Sequence, residues 1–205
     1  MVGLGISLGL GIGTSGSGGP RTNLTIRSQE YNNPAWGTSN LSVAADQITA
    51  PDGTLTADRL TATATGSACY IFQAYTLLAN TQYTLSQYAH PGTKGWFNQT
   101  VYDGSAGNRY WYNTSTGVVG STALVGAGLT SVSALILPAD NGFYRCITTF
   151  TTKAATTITT YSTFTDADAS LAITSGGTGY AWGCQLELGP TATAYIPTAG
   201  APVTV

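Results

Sequence analysis

From Arg21 onward the chain consists of short stretches in which apolar and polar residues alternate with a period of two, each closed by turn-forming residues. Leu41, Val43 and Ala45 alternate up to a turn at Pro51-Asp52-Gly53, and Leu60, Ala62 and Ala64 alternate up to Gly66. Period-two patterning sends successive side chains to opposite faces of an extended chain, so these stretches predict strands. Tyr83 and Leu85 interleave with Thr84 and Ser86 before a break at His90-Pro91-Gly92. The run from Cys69 to Leu77 is almost continuously apolar or aromatic and predicts a central strand buried on both faces. Further strands are predicted over 96–103, 109–113, 132–137, 143–152, 156–165 and 180–188, with Asp103-Gly104, 138–142 and Ser175-Gly176-Gly177 as turns. In the last strand Tyr180, Trp182, Cys184, Leu186 and Leu188 are expected on the core face, with Ala181, Gly183, Gln185 and Glu187 opposite. No stretch sustains a 3.6-residue period for three turns. Many short strands without helical interludes predict an all-β fold, a jelly-roll-like antiparallel β-sandwich.

The first residues follow a different rule. Leu4, Ile6, Leu8, Leu10 and Ile12 alternate mainly with glycine, so a strand there has one apolar face and one nearly bare face. Such a strand is not stable alone, but it can add to another subunit's sheet. We therefore expect residues 1–20 to form a short, extended, glycine-rich attachment arm, and residues 21–205 a β-sandwich domain with an extended tail after about residue 198. The stretch from Met1 to Gly13 lacks a positive leading region and is short and glycine-interrupted, so neither a signal peptide nor membrane insertion is expected. It also contains Gly5-Ile6-Ser7-Leu8-Gly9, which fits a nucleophile elbow, and 11–16, which fits a dinucleotide fingerprint. Both need a strand-to-helix context, and Gly18-Gly19-Pro20 follows instead.

Composition agrees with sheet and narrows the partners. Only 8% of the 205 residues are charged, against roughly 25% in typical soluble domains. A surface of so few charges repels its own copies weakly and suits a protein that lives in an assembly. Seven Lys and Arg against nine Asp and Glu give a net charge of -2, with no basic block. Phosphate backbones need clustered positive charge, so nucleic acid is not an expected ligand. Cys69, Cys146 and Cys184 match no metal or redox spacing and read as small core hydrophobes.

Several longer stretches carry a resemblance: Arg21 through Tyr31, Asn33-Pro34-Ala35-Trp36, Ala50 through Thr54, and Ala57-Asp58-Arg59-Leu60. With them go Asn141 through Cys146, Trp182 through Gly189, and Thr191 through Thr198. In this order, over nearly the whole of 21–198, they resemble a module common in bacteriophage virion proteins. The resemblance implies a jelly roll similar to carbohydrate-binding modules, of the kind found in tail fibres, tail-tip proteins and head-decorating proteins. It further implies a homotrimer or other homo-oligomer, held to other virion proteins of capsid or tail by a short N-terminal segment. The expected location is the virion surface, after assembly in the bacterial host cytoplasm. A long fibre shaft is missing, so capsid decoration, a head fibre or a tail-tip component matches the length better than a full-length tail fibre.

Catalysis is not expected. The single histidine, His90, precedes Pro91-Gly92 and reads as a solvent-facing turn residue rather than one member of a triad. Glycoside hydrolysis needs two carboxylates facing a cleft, yet Asp52 and Asp140 sit in turns, and Glu187, opposite the core face of its strand, is the acid least easily explained. No cofactor is expected. A structural Ca²⁺ would have to draw on Asp166 and Asp168, or on Asp52 and Asp58, completed by backbone carbonyls.

The strongest ligand signal is aromatic. Trp96, Tyr102, Tyr110, Trp111 and Tyr112 crowd together with Phe97, interleaved with Asn98, Gln99, Asn108 and Arg109. A sugar presents an apolar C–H face inside a rim of hydroxyls, and binds to an aromatic platform beside amide and charged groups. Trp96, Asn98, Tyr102, Arg109, Tyr110, Trp111 and Tyr112 are therefore the candidate glycan site. Alternation requires about half of these rings to point into the core instead, where Trp36 and Trp182 are also expected. Two compatible functions follow: a virion structural protein displayed on the particle, and a module that binds host surface glycans. A cellular carbohydrate-binding module is a third reading.

Overall fold

The period-two stretches form strands in a computed structural model, which describes residues 19–154 and 157–205. The arm residues Leu4, Ile6, Leu8, Leu10 and Ile12 lie outside the described residues. In chain order the strands are β1 (Thr22–Asn23), β2 (Gly37–Ser39), β3 (Leu41–Ile48), β4 (Ala57–Ala62), β5 (Tyr70–Thr76), β6 (Gln82–Pro91) and β7 (Trp96–Tyr102). They continue as β8 (Gly107–Asn113), β9 (Val118–Val125), β10 (Thr130–Pro138), β11 (Tyr144–Thr151), β12 (Thr157–Thr165), β13 (Thr178–Leu188) and β14 (Val203–Thr204). All pairings between them are antiparallel. A first sheet runs β10-β11-β6-β13-β4-β3 and a second runs β2-β5-β12-β7-β8-β9, making the jelly-roll-like sandwich.

The core lies between these sheets because one face of each strand is apolar. Tyr83, Leu85 and Ala89 of β6, with Cys146 and Phe150 of β11, meet Phe97 and Val101 of β7 and Ile158 and Phe164 of β12. Polar ties cross the same space. Ser162 Oγ donates to Gln87 Oε1 at 2.7 Å, and Gln87 Nε2 donates to the Tyr31 hydroxyl at 2.7 Å. Thr148 Oγ1 donates to Gln99 Oε1 at 2.9 Å while sharing a hydrogen bond with the Tyr112 hydroxyl. Buried polar groups of this kind are tolerated when paired, and they specify how the two sheets face each other. All three cysteines are buried and unbridged, and burial pushes the Cys184 thiol up to about 12.

Three local expectations are corrected. In β13 an extra residue intrudes between Trp182 and Gln185, opposite Tyr88 and Ser86 of β6, with Gly183 at φ 60°. A bulge of one residue reverses the parity of the faces. Cys184 and Leu186 therefore face the core, while Tyr180 and Trp182 face outward into a second apolar cluster with Phe143 and Tyr88. The second correction concerns β5, which lies one strand from the sheet edge and is buried on one face only: Ile71 and Tyr75 are buried, Tyr70 and Phe72 half-buried. The third is His90, which belongs to β6 rather than a turn and packs on Phe143 and Tyr180 with ring centroids 5.2 and 5.7 Å away.

The two ends of the domain are stitched together at the first sheet. Asn23 is fully buried; its Nδ2 donates to the carbonyls of Cys184 and Ile196, and its Oδ1 accepts from the N–H groups of Thr25 and Leu186. Thr198 Oγ1 donates to Thr25 O at 2.6 Å, Ser28 Oγ bonds the Tyr195 hydroxyl at 2.6 Å, and β14 pairs with β1. Glu187, unexplained by sequence, is buried here, accepting from Gln185 Nε2 and from both the N–H and hydroxyl of Thr193.

Candidate functional site

The outer face of the second sheet holds the site. Register places Asn98, Thr100 and Tyr102 of β7 beside Trp111, Arg109 and Gly107 of β8 on one side, and beside Thr163, Tyr161 and Thr159 of β12 on the other. Tyr161 pairs in turn with Phe72 of β5, so Tyr70 and Phe72 join the same face. Strands β5 and β12 thereby join the consecutive β7, β8 and β9 in lining one groove of about 310 Å³. Tyr70, Tyr102 and Tyr161 supply its rings, Asn98, Thr100 and Thr163 its polar floor, and Arg109 its charge, with Ser67, Val125 and Leu171 at the borders. The volume lies near the lower end of ligand clefts, roughly 300–1,000 Å³.

The rings form a rigid wall. Tyr70 meets Tyr161 edge-on at 5.1 Å between centroids, and Phe72 lies 5.7 Å from Tyr161. Edge-to-face pairs fix ring orientation at little entropic cost, which suits a surface that must be ready before its ligand arrives. Asn98 is buried in the floor and held by its own bonds: its Nδ2 donates to Tyr110 O at 3.0 Å and its Oδ1 accepts from Thr100 Oγ1 at 2.9 Å. The Tyr102 hydroxyl donates to Gly104 O at 2.6 Å, fixing that ring at the groove's end.

Of the residues expected from sequence, the groove thus gathers Asn98, Tyr102 and Arg109. Tyr110 and Tyr112 point into the sandwich, opposite Gln99 and Phe97, and are buried. Trp96 and Trp111 share the outer face, but the segment after β12 folds over them. Trp111 Nε1 donates to Ser170 O at 2.6 Å, and Asp168 accepts from the Ser121 N–H and hydroxyl, pinning that cover. Trp111 is 2% exposed and offers no ring to a ligand. Tyr70 and Tyr161 were missed. For Tyr70 the signal was the nearly unbroken apolar run through β5, whose outward rings serve the groove while its inward ones serve the core; Tyr161 lies on β12 and joins them through the β12–β5 pairing.

The carboxylates weighed for Ca²⁺ are committed elsewhere. Asp166 pairs with Lys94 Nζ at 2.6 Å and accepts from Thr174, Asp168 holds Ser121, and Asp52 accepts from the Thr54 N–H and hydroxyl. Asp58 accepts from the N–H groups of Tyr31 and Asp46 and is buried, which raises its carboxyl to about 6 despite those bonds. Among the described residues no group of three His, Cys, Asp or Glu side chains could hold a metal ion.

A second cleft, where Leu24, Ile26 and Pro202 meet β5, is mostly apolar. Its one amide, Gln73, already bonds Ile26 at both ends and Ala35 O.

No protein-family model matches the chain, and no curated protein matches it. Solved structures with a similar course include a protein from Bacteroides thetaiotaomicron described as a candidate sugar-binding protein. It has 10% identity and a TM-score of 0.45, with 82% of this chain and 95% of that one covered. A second is TmCBM61 in complex with β-1,4-galactotriose, at 12% identity and TM-score 0.45, with 82% and 99% covered. A third is the enzymatically active domain of bacteriophage CBA120 tailspike protein 4, at 9% identity and TM-score 0.47. There 81% of this chain is covered, but it spans only 21% of the tailspike chain.

Proposed function

We propose that this protein is a non-catalytic glycan-binding β-sandwich module. The observation that supports it is the groove on the second sheet, where Tyr70, Tyr102 and Tyr161 stand around Arg109 above a polar floor. Aromatic faces receive the C–H side of a sugar ring, and hydroxyls and a guanidinium receive its hydroxyls. A glycan array probed with the wild-type protein and with Tyr161→Ala tests it. The wild type binds a defined set of glycans, and the folded variant loses roughly tenfold in affinity, the equivalent of one aromatic contact of about 1.4 kcal/mol. Absence of binding by wild type, or unchanged binding by the variant, removes the site.

We further propose that the module is displayed on the surface of a tailed-phage particle as a capsid decoration, head-fibre or tail-tip component. The ordered stretches between Arg21 and Thr198 favour this reading. In it the arm, through Leu4, Ile6, Leu8, Leu10 and Ile12, attaches the domain to other virion proteins, and copies associate as a homotrimer or other homo-oligomer. Deleting residues 1–19 is expected to abolish incorporation into particles while leaving the sandwich folded. Incorporation at the full-length level would refute the attachment role.

A further inference from the structure

The groove contains one formal charge, and that charge has no partner. Arg109 projects from β8 between Thr100 of β7 and Ala123 of β9 and is half-buried. Its Nε is buried without a hydrogen-bond partner among the described residues. All nine acidic side chains of the chain lie among those residues. The ion pairs found there join Arg27 to Glu30 and Lys94 to Asp166. Asp103, next in sequence to Tyr102, turns its carboxylate back onto the Ser105 and Ala106 N–H groups. Burial opposes ionisation there, but those bonds prevail and hold the carboxyl below the usual carboxylate range.

A half-buried guanidinium whose Nε is shielded from water without a counter-charge loses part of its hydration, and its planar fork is matched by a carboxylate that accepts two parallel hydrogen bonds. A neutral sugar would supply only hydroxyls, which leave the charge uncompensated. Resting on the glycan-binding reading above, we infer that the groove selects sugars bearing a carboxylate, uronic or sialic acids, with that carboxylate on Arg109 and the ring against Tyr161 and Tyr70.

The test uses the full chain on an array of matched pairs: polygalacturonate and its carboxyl-reduced polymer, sialylated glycans and their desialylated forms, and sulfated neutral glycans. The expected result is at least tenfold preference for the carboxylated member, weakened in 0.5 M NaCl and abolished by Arg109→Gln. Arg109→Lys, which keeps the charge and loses the fork, retains part of the preference. Thermal unfolding of both variants verifies that they are folded. Equal binding of both members of each pair, stronger binding to the sulfated glycans, or unchanged selectivity in a folded Arg109→Gln overturns the inference while leaving glycan binding intact. No binding to any glycan defeats both readings.

Discussion

The outer faces of the two sheets are both rich in aromatic side chains, and they have opposite fates. On the first sheet Trp182 packs edge-on against Tyr88 and tilted against Tyr195, with centroids 5.3 and 4.6 Å away, and its Nε1 donates to Thr56 Oγ1. The segment after β13 lies over them, so these rings form a second core. On the second sheet the rings of Tyr70, Tyr102 and Tyr161 lie along an open groove. Two arginines mark the same contrast. Neither has an acidic partner among the described residues, but Arg145 sits 5.3 Å from the Tyr88 ring and donates to Thr193 O and Ser86 Oγ, whereas the Nε of Arg109 is buried in the groove without a partner. An aromatic cluster on a sheet becomes structural where the chain returns to cover it and available where it does not.

That contrast can be broken in order of effect. Trp182→Ala should destabilise the domain by about 4 kcal/mol, as expected for emptying a buried tryptophan site, and denaturant unfolding will measure it. Asn23→Ala should cost about 3 kcal/mol, because it orphans several buried backbone groups at once; a loss below 1 kcal/mol would mean that the termini are held by other contacts. Asp58 supplies a pH signature. Its folded carboxyl, raised to about 6, binds its proton more tightly than the unfolded group does. The folded state is therefore favoured at low pH, and stability should fall by up to about 3 kcal/mol as pH rises from roughly 4 to 6. Asp58→Asn should flatten that slope in unfolding measured across the range. Tyr161→Ala, by contrast, should change stability by less than about 1 kcal/mol, since its ring is only half-buried. A large loss there would make the groove wall a structural element like its counterpart on the first sheet.

Much of this was legible in the sequence. Period two marked most strands and the sandwich itself, and the placement of the cysteines, Trp36 and Trp182 in buried sites followed from their apolar character. The groove was half legible: alternation sets Asn98 and Tyr102 on a common face, and the register of the next strand, pairing Thr100 with Arg109, adds Arg109 to it. Tyr70 and Tyr161 join them only because β12 inserts between β5 and β7, a long-range pairing that no local pattern encodes. Trp111 had the right face and the wrong cover, since a carbonyl at Ser170 closes over its indole. The reversal of faces in β13 depends on the single residue Gly183, whose positive φ accommodates the bulge. Its only trace in sequence is a glycine inside a strand.

The most direct test of the central claim is chemical-shift mapping of the labelled protein titrated with the glycan that binds best on the array. The perturbed signals should cluster at Tyr70, Tyr102, Arg109 and Tyr161, with Tyr88, Trp182 and Tyr195 unmoved. Perturbation centred on the first sheet's outer face, or spread evenly over both, would contradict it.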